Sequence, residues 1–299
     1  MNNSIQKDIQ EVLKNRKFKA EKIALDNLSL ARENKEFLEL ERQFNELKIQ
    51  IAKDEIEGKN VDKLTEKYGK IKKNMQNLLK SMHISSIEPV YYCKLCNDTG
   101  VFENHYCNCR KQILSEILLN KSGILKNKLP NFETTICDKK NELIYKKLNE
   151  WCEKFPNVKV NNIFITGQVG NGKTYLCTCI IDKLIKKGLY VYFNTAFAIN
   201  SDFLTFCKTS NEEILKQYLD PDVLIIDDFG SEPIIKNITE NYFYLILNER
   251  LMKNKSTIIN SNLMPDEILE RYGERIFSRI MSQRNSLVLE MLGEDKRLK

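Results

Sequence analysis

A chain of 299 residues allows two or three modules, and a composition of 42% hydrophobic and 29% charged residues is that of a globular protein with an ordinary core. The net charge of +6 permits a polyanionic partner without requiring one. No apolar run reaches the roughly 18 residues of a membrane span, and Met1-Asn2-Asn3-Ser4-Ile5-Gln6-Lys7 lacks the apolar core of a signal peptide, so the expected location is cytoplasmic.

Residues 1–86 are predicted to be helical and coiled-coil-like. Apolar side chains recur at Ile5, Ile9 and Val12 and again at Leu40, Phe44, Leu47 and Ile51, spacings that give a helix a narrow apolar seam. Gly58-Lys59-Asn60 breaks the pattern, and a further helix carries Leu64, Ile71, Met75, Leu78 and Met82. Two readings stay open: a helical hairpin or bundle that docks a partner protein, and a solvated appendage folded on itself.

Residues 87–128 form a second segment. Cys93 and Cys96 make a C-x-x-C pair, and Cys107 and Cys109 a C-x-C pair. Such thiolates can close a tetrahedral zinc site, with Asp98-Thr99-Gly100 as the turn between the pairs and His105 as a possible replacement ligand. The chain has nine cysteines, and in a cytosolic protein metal binding or plain burial is expected before disulfides. Cys137, Cys152, Cys177, Cys179 and Cys207 lack a partner spacing and read as small core residues. A site closed by four protein ligands is structural, not catalytic. A helix over Lys111–Lys128 follows, with Ile113, Leu114, Ile117 and Leu118 on one face.

Leu129-Pro130-Asn131-Phe132-Glu133 ends that helix and opens a third segment, 129–299, with an entry helix over Asn141–Phe155 stopped by Pro156. Strands are expected at Ile163–Thr166, Tyr190–Phe193, Val223–Ile226, Thr257–Asn262 and Ser286–Glu290, alternating with helices. Alternation of this kind predicts an α/β fold with a five-stranded parallel sheet, its ligand site at the carboxyl ends of the strands. Between the first strand and its helix stands Gly167-Gln168-Val169-Gly170-Asn171-Gly172-Lys173-Thr174, the G-x-x-x-x-G-K-T pattern of a phosphate-binding loop. Its glycines let backbone N–H groups curl toward anionic oxygens, and the helix N-terminus adds partial positive charge. Gly167, Val169, Gly170, Asn171, Gly172, Lys173, Thr174 and Tyr175 are the candidate nucleotide contacts, with Lys173 reaching the terminal phosphates and Thr174 holding magnesium. The apolar run Val223–Ile226 leads into Asp227, a second magnesium ligand, and Asp228, which would orient the attacking water. Asn262 closes the fourth strand, where its amide could sit beside the γ-phosphate, and Arg275 and Arg279 lie four apart on one helix face, suited to phosphate neutralisation.

Four stretches together resemble the AAA+ ATPases of the DnaC/DnaI helicase-loader and IstB transposition-helper group. They are Gly167–Thr174, Leu224–Gly230, Thr257–Leu263 and Gly273–Arg279. The knuckle Cys93–Cys109 after a charged helical N-terminus is similar to the loaders of low-GC Gram-positive bacteria and their phages. The resemblance implies an AAA+ P-loop ATPase that uses ATP and magnesium and carries a small zinc knuckle. It implies that Asn262 is a first sensor, Arg279 an arginine finger reaching a neighbouring subunit's site with Arg275 beside it, and Arg297 a second sensor. It further implies ATP-dependent delivery of the replicative hexameric DNA helicase onto single-stranded DNA, with self-association through the AAA+ domains and the N-terminal helices and knuckle gripping the helicase. The rival expectations are an IstB-like helper of a transposase and a DNA adaptor that binds ATP with little turnover. An initiator resembling DnaA would need a C-terminal helix-turn-helix, and about ten residues past the fifth strand leave no room for one before Lys299.

Overall fold

The structure, a computed structural model, describes residues 3–121, 129–135, 137–282 and 284–293. Contacts divide the chain into two compact units, residues 11–105 and residues 1–10 with 106–299. Among the described residues no helix is long and apolar enough to cross a membrane.

The N-terminal stretch forms α1 (Asn3–Arg32), α2 (Lys35–Ile56) and α3 (Asp62–Ser81). Asn34 starts α2: its side chain accepts the backbone N–H groups of Glu36 and Phe37 at 2.8 and 3.2 Å, satisfying donors that a helix start leaves unpaired. The predicted break at Gly58 lies between α2 and α3, where the residue has φ 71°. α2 and α3 pack along the expected seam. Phe37, Ile71, Met75 and Leu79 are buried, with Leu40, Phe44, Leu47 and Leu78 packed on them, and Phe44 stacks on Tyr68 at 4.5 Å. The seam is narrow because charged and polar residues occupy most of the remaining positions, while α1 leaves Phe18 and Leu25 exposed.

The knuckle segment follows as a tight local structure. β1 (Val101–Phe102) and β2 (His105–Tyr106) form a hairpin whose two turn residues, Glu103 and Asn104, both have positive φ, the turn that matches strand twist. α4 (Asn108–Lys121) covers most of the helix expected at 111–128, and residues 122–128 lie outside the described residues. α4 contributes Leu119 to the core around the sheet, in the same compact unit as the strands.

A 3-10 turn over Lys139–Asn141 leads into α5 (Glu142–Lys154). β3 (Asn162–Gly167), α6 (Lys173–Lys186), β4 (Val191–Thr195), α7 (Ala196–Thr209), α8 (Glu212–Leu219), β5 (Val223–Phe229), α9 (Thr239–Met252), β6 (Ser256–Ser261), α10 (Pro265–Ile280) and β7 (Ser286–Met291) complete the unit. The five strands pair in parallel in the order β4-β5-β6-β3-β7, the five-stranded parallel sheet that the alternation predicts. β3, β5 and β6 are buried along nearly their whole length, as strands of a parallel sheet between helical layers are. Each predicted strand is present, with shifted ends. Asp227 and Asp228 lie inside β5 instead of beyond it, and Asn262 stands one residue past β6 instead of closing it. Cys207 is exposed beside Tyr242, which corrects its reading as a core residue, whereas Cys152, Cys177 and Cys179 are fully buried.

Candidate functional site

The phosphate-loop sequence folds as its glycines dictate. Gly167, Gly170 and Gly172 have φ of 144°, 76° and 99°, and Gly172 starts α6. At Gly167 a Cβ would lie 2.3 Å from the Met291 carbonyl oxygen and 2.4 Å from Asn171 Nδ2, so only glycine fits where the loop leaves the sheet. Asn171, expected as a nucleotide contact, is fully buried, and its side chain donates to the Met291 carbonyl at 2.7 Å. That bond pins the loop to the end of β7. Lys173, 5% exposed, donates to the carbonyls of Gly167 and Gln168 at 2.6 and 2.8 Å and to Asn171 Oδ1 at 3.3 Å. Its ammonium is thus held inside the curl of the loop.

Across the cleft, Thr174 Oγ1 donates to the Asp227 carboxylate at 3.0 Å. Asp227 is 5% exposed, and burial raises its carboxyl above the ordinary range, while bonds from Asn260 and Thr174 oppose that shift. Asn260 does double duty on β6: Nδ2 donates to Asp227, and Oδ1 accepts the Asp228 backbone N–H at 2.9 Å. Beneath it Cys177 receives a further Asn260 N–H at 3.3 Å, and burial followed by the Asp227 charge pushes its thiol up to about 12, so it stays protonated. The ladder between β5 and β6 is irregular from Ile226 to Phe229, and Asp228 takes a left-handed φ of 52°. An irregularity of this kind re-aims a side chain. Asp228 accordingly lines the open cavity while Asp227 points into the protein.

That cavity has a volume of about 500 Å³ and is lined by Val169–Tyr175, Asp228, Asn262 and Tyr145. It therefore gathers the predicted loop, the second carboxylate and Asn262. Tyr145 from α5 and the half-exposed Tyr175 add an aromatic wall, and the Tyr175 hydroxyl lies 3.3 Å from Thr135 Oγ1. Tyr145 and Asn260 escaped the sequence reading. Asn260 had a usable signal, since an amide inside an apolar strand must find a buried partner, and the neighbouring strand carries the only carboxylates in that stretch. Tyr145 had none, being one apolar face residue of an amphipathic helix.

Arg275 and Arg279 do not line this cavity. Both guanidinium groups lie over the ring of Tyr244 on α9, at 4.9 and 5.6 Å, and Arg279 Nε donates to Asn248 at 3.0 Å. Their shared face is as the spacing predicted. The helix that bears them is interrupted just before, at Gly273 with φ 74° and ψ 171°. Arg297 lies outside the described residues.

In the knuckle, the sulfurs of Cys93, Cys96, Cys107 and Cys109 all lie within 4.8 Å of one another, and three of the four cysteines are buried. Four thiolates about 2.3 Å from one ion fit that spacing. The group closes without His105. Asp98, 2% exposed, accepts the backbone N–H groups of Tyr92 and Cys93 at 2.8 and 2.9 Å, and the Gly100 N–H points at Cys96 Sγ at 3.3 Å. Polar support behind the ligands is typical of a metal-holding turn.

The family described as the bacterial DnaA ATPase domain matches residues 126–284. The chromosomal replication initiator protein DnaA of Latilactobacillus sakei is 31% identical over 153 residues, covering 50% of this chain and 33% of that protein. The AMPPCP-bound DnaA structure from Aquifex aeolicus aligns at 26% identity and a TM-score of 0.48, covering 56% of this chain and 52% of that one. A DnaC helicase loader aligns at 21% identity and 0.49, covering 54% and 96%. The chain spans about a third of the length of the curated initiators it matches.

Proposed function

The chain belongs to the family of the bacterial DnaA ATPase domain, and on that premise we propose that it is an ATP-hydrolysing switch of replication initiation that delivers the replicative hexameric helicase to single-stranded DNA. The observation that carries the nucleotide half of this reading is the meeting of the Thr174 hydroxyl with the Asp227 carboxylate at 3.0 Å beside a glycine loop that opens on a cavity. A hydroxyl and a carboxylate converging beside phosphate-directed amides are the donor set for magnesium in this class, and the ion would supply charge neutralisation on the terminal phosphates. The residues then have distinct work. The loop amides and Lys173 bind the phosphates. Asp228 and Asn262, on the cavity wall, orient water and sense the terminal phosphate. Arg279, assisted by Arg275, serves a neighbouring copy's site. Arg297 is assigned the second sensor by resemblance alone.

The loader half rests on the resemblance of the four ATPase stretches to the DnaC/DnaI group, together with the Cys93–Cys109 knuckle and the charged helical N-terminus. A closed four-thiolate zinc site would fix the fold of the knuckle, leaving its exposed residues and the helices free to grip a helicase. Hydrolysis conditional on assembly would make the γ-phosphate a timer: it holds one subunit arrangement and its loss releases that arrangement.

Lys173→Ala is the direct test of the site. Its nucleotide affinity should fall at least about 100-fold, because the cation that neutralises the terminal phosphates is gone. Unchanged affinity in an equilibrium binding titration would remove the assignment. Co-purification of the wild-type chain with a replicative helicase, stronger with ATP than without, separates loading from a transposase helper or an idle adaptor.

A further inference from the structure

A second buried carboxylate lies near the nucleotide site with no role in the assignments above. Glu232 follows the acidic strand by three residues and is fully buried. One carboxylate oxygen accepts the Gly230 backbone N–H at 2.9 Å, and the other accepts the Tyr272 hydroxyl. Its backbone carbonyl accepts Arg271. A buried carboxylate is costly to keep, and burial raises this carboxyl above its ordinary range. The two bonds it makes join different pieces of the unit: Gly230 ends the segment bearing Asp228, and Tyr272 belongs to α10, which bears Arg275 and Arg279.

The surroundings make the junction rigid on one side. Tyr272 stacks on Phe229 with ring centroids 4.4 Å apart. Ser261, at the end of β6, donates to the Phe229 carbonyl. Gly230 has φ 104°, and a Cβ there would meet Leu263 Cδ1 at 2.5 Å. Leu263 is the residue after Asn262, and its carbonyl accepts Thr166 Oγ1 at 2.7 Å. The carboxyl ends of β3, β5 and β6 are therefore locked together around Phe229 and Gly230. On the other side lies a joint: Gly273 directly follows Tyr272, breaks the helical backbone, and has no heavy atom within 4 Å of a Cβ placed on it.

We propose that Glu232 and Tyr272 are positioning residues, a clasp that fastens α10 to the acidic strand end and sets the arginine half of the helix relative to Asp228 across the Gly273 joint. Movement at the strand end then reaches Arg275 and Arg279 through the hydroxyl–carboxylate bond, beside the Arg271 bond to the Glu232 carbonyl and the Tyr272–Phe229 stack. The catalytic consequence rests on the ATPase reading; the mechanical one does not.

Tyr272→Phe removes the hydroxyl and keeps the ring on Phe229, so the variant folds. Amide hydrogen exchange of the full chain without nucleotide should show residues 230–232 and 274–280 exchanging together, about tenfold faster than wild type, with β3 and β4 unchanged. Glu232→Gln retains an acceptor for Gly230 and a partner for Tyr272, and should stay near wild type. Acceleration in only one segment, in neither, or uniformly over the sheet overturns the clasp. The second measurement is steady-state phosphate release: Tyr272→Phe should lower kcat about tenfold with KM within about twofold, and should add nothing to Arg279→Ala. A full additive loss in the double variant also overturns it. Because exchange is read without ligand, a protein that binds no ATP would defeat the nucleotide assignment while the exchange result still decides the clasp.

Discussion

At Asp227 a single side chain shows how the site stores energy. Its carboxylate sits under the loop at 5% exposure, held by Thr174 and Asn260, and burial raises its folded value above that of the unfolded chain. For a carboxyl shifted in this direction the native state binds more protons than the unfolded state just above the ordinary carboxylate range. Stability therefore falls as pH rises through that window and levels off once the folded group has ionised. Asp227→Asn keeps the shape and abolishes the charge. The variant should melt above wild type at pH 7, with the advantage shrinking as pH falls into the ordinary carboxylate range, read as the pH dependence of Tm. The same variant should lose magnesium-dependent tightening of nucleotide binding. A melting advantage that grew with acid would contradict the sign of the shift. A variant that is more stable yet unable to hold the ion would show that this residue is retained for function at a cost in stability.

Between elements, the turn at Gly230 shapes the end of the acidic strand, and the knuckle turn shapes a separate group of sulfurs. Gly230→Ala forces a left-handed backbone on alanine and drives a Cβ to 2.5 Å from Leu263 Cδ1 and 2.9 Å from its Cγ. The cost should be about 1–3 kcal/mol from the backbone with steric strain in addition, read as a lower denaturant midpoint. In the knuckle, metal analysis should find one zinc per chain, lost when Cys93 and Cys96 become Ser, with nucleotide affinity unchanged because the sulfur group and the loop share no ligand. These elements also show what a sequence can reveal. The phosphate loop, the acidic strand and the five-strand alternation were legible because each is a local pattern: glycines where backbone must turn, and apolar runs of strand length. The four-sulfur group was legible because its ligands lie within 17 residues. Strand ends were less so, since the irregular ladder at Ile226–Phe229 that turns Asp228 outward arises from pairing with Ile259 and Ser261 of β6, far outside any local window. The Glu232–Tyr272 bond spans 40 residues and involves two unremarkable residue types, so no window of sequence carries it. Arg250 is a similar case: a helix-face arginine by spacing, it is fully buried and donates to the carbonyls of Tyr218 and Pro221 at 2.8 and 3.1 Å.

For the molecule as a whole the question is whether one copy suffices. Arg279 rests on Asn248 and Tyr244 and is absent from the wall of the cavity that holds Asp228 and Asn262. A guanidinium that stabilises transferred phosphoryl charge must touch it, so an arginine outside the cavity can act only on another copy or after a rearrangement. A head-to-tail interface, in which each copy offers an arginine face and a nucleotide face, meets this requirement without further elements. Wild-type turnover per chain should then rise with protein concentration, while Arg279→Ala binds nucleotide normally and turns over at least about tenfold more slowly at every concentration. Mixing decides between trans and cis action. Arg279→Ala chains hold nucleotide and lack the finger, and Lys173→Ala chains lack nucleotide and keep the finger. In trans, a Lys173→Ala chain completes the site of an adjacent Arg279→Ala chain, so the mixture should regain part of the activity that neither variant shows alone. Were the arginine to swing into its own cavity, no mixed pair could hold both parts in one subunit, and the mixture would stay as inactive as its components.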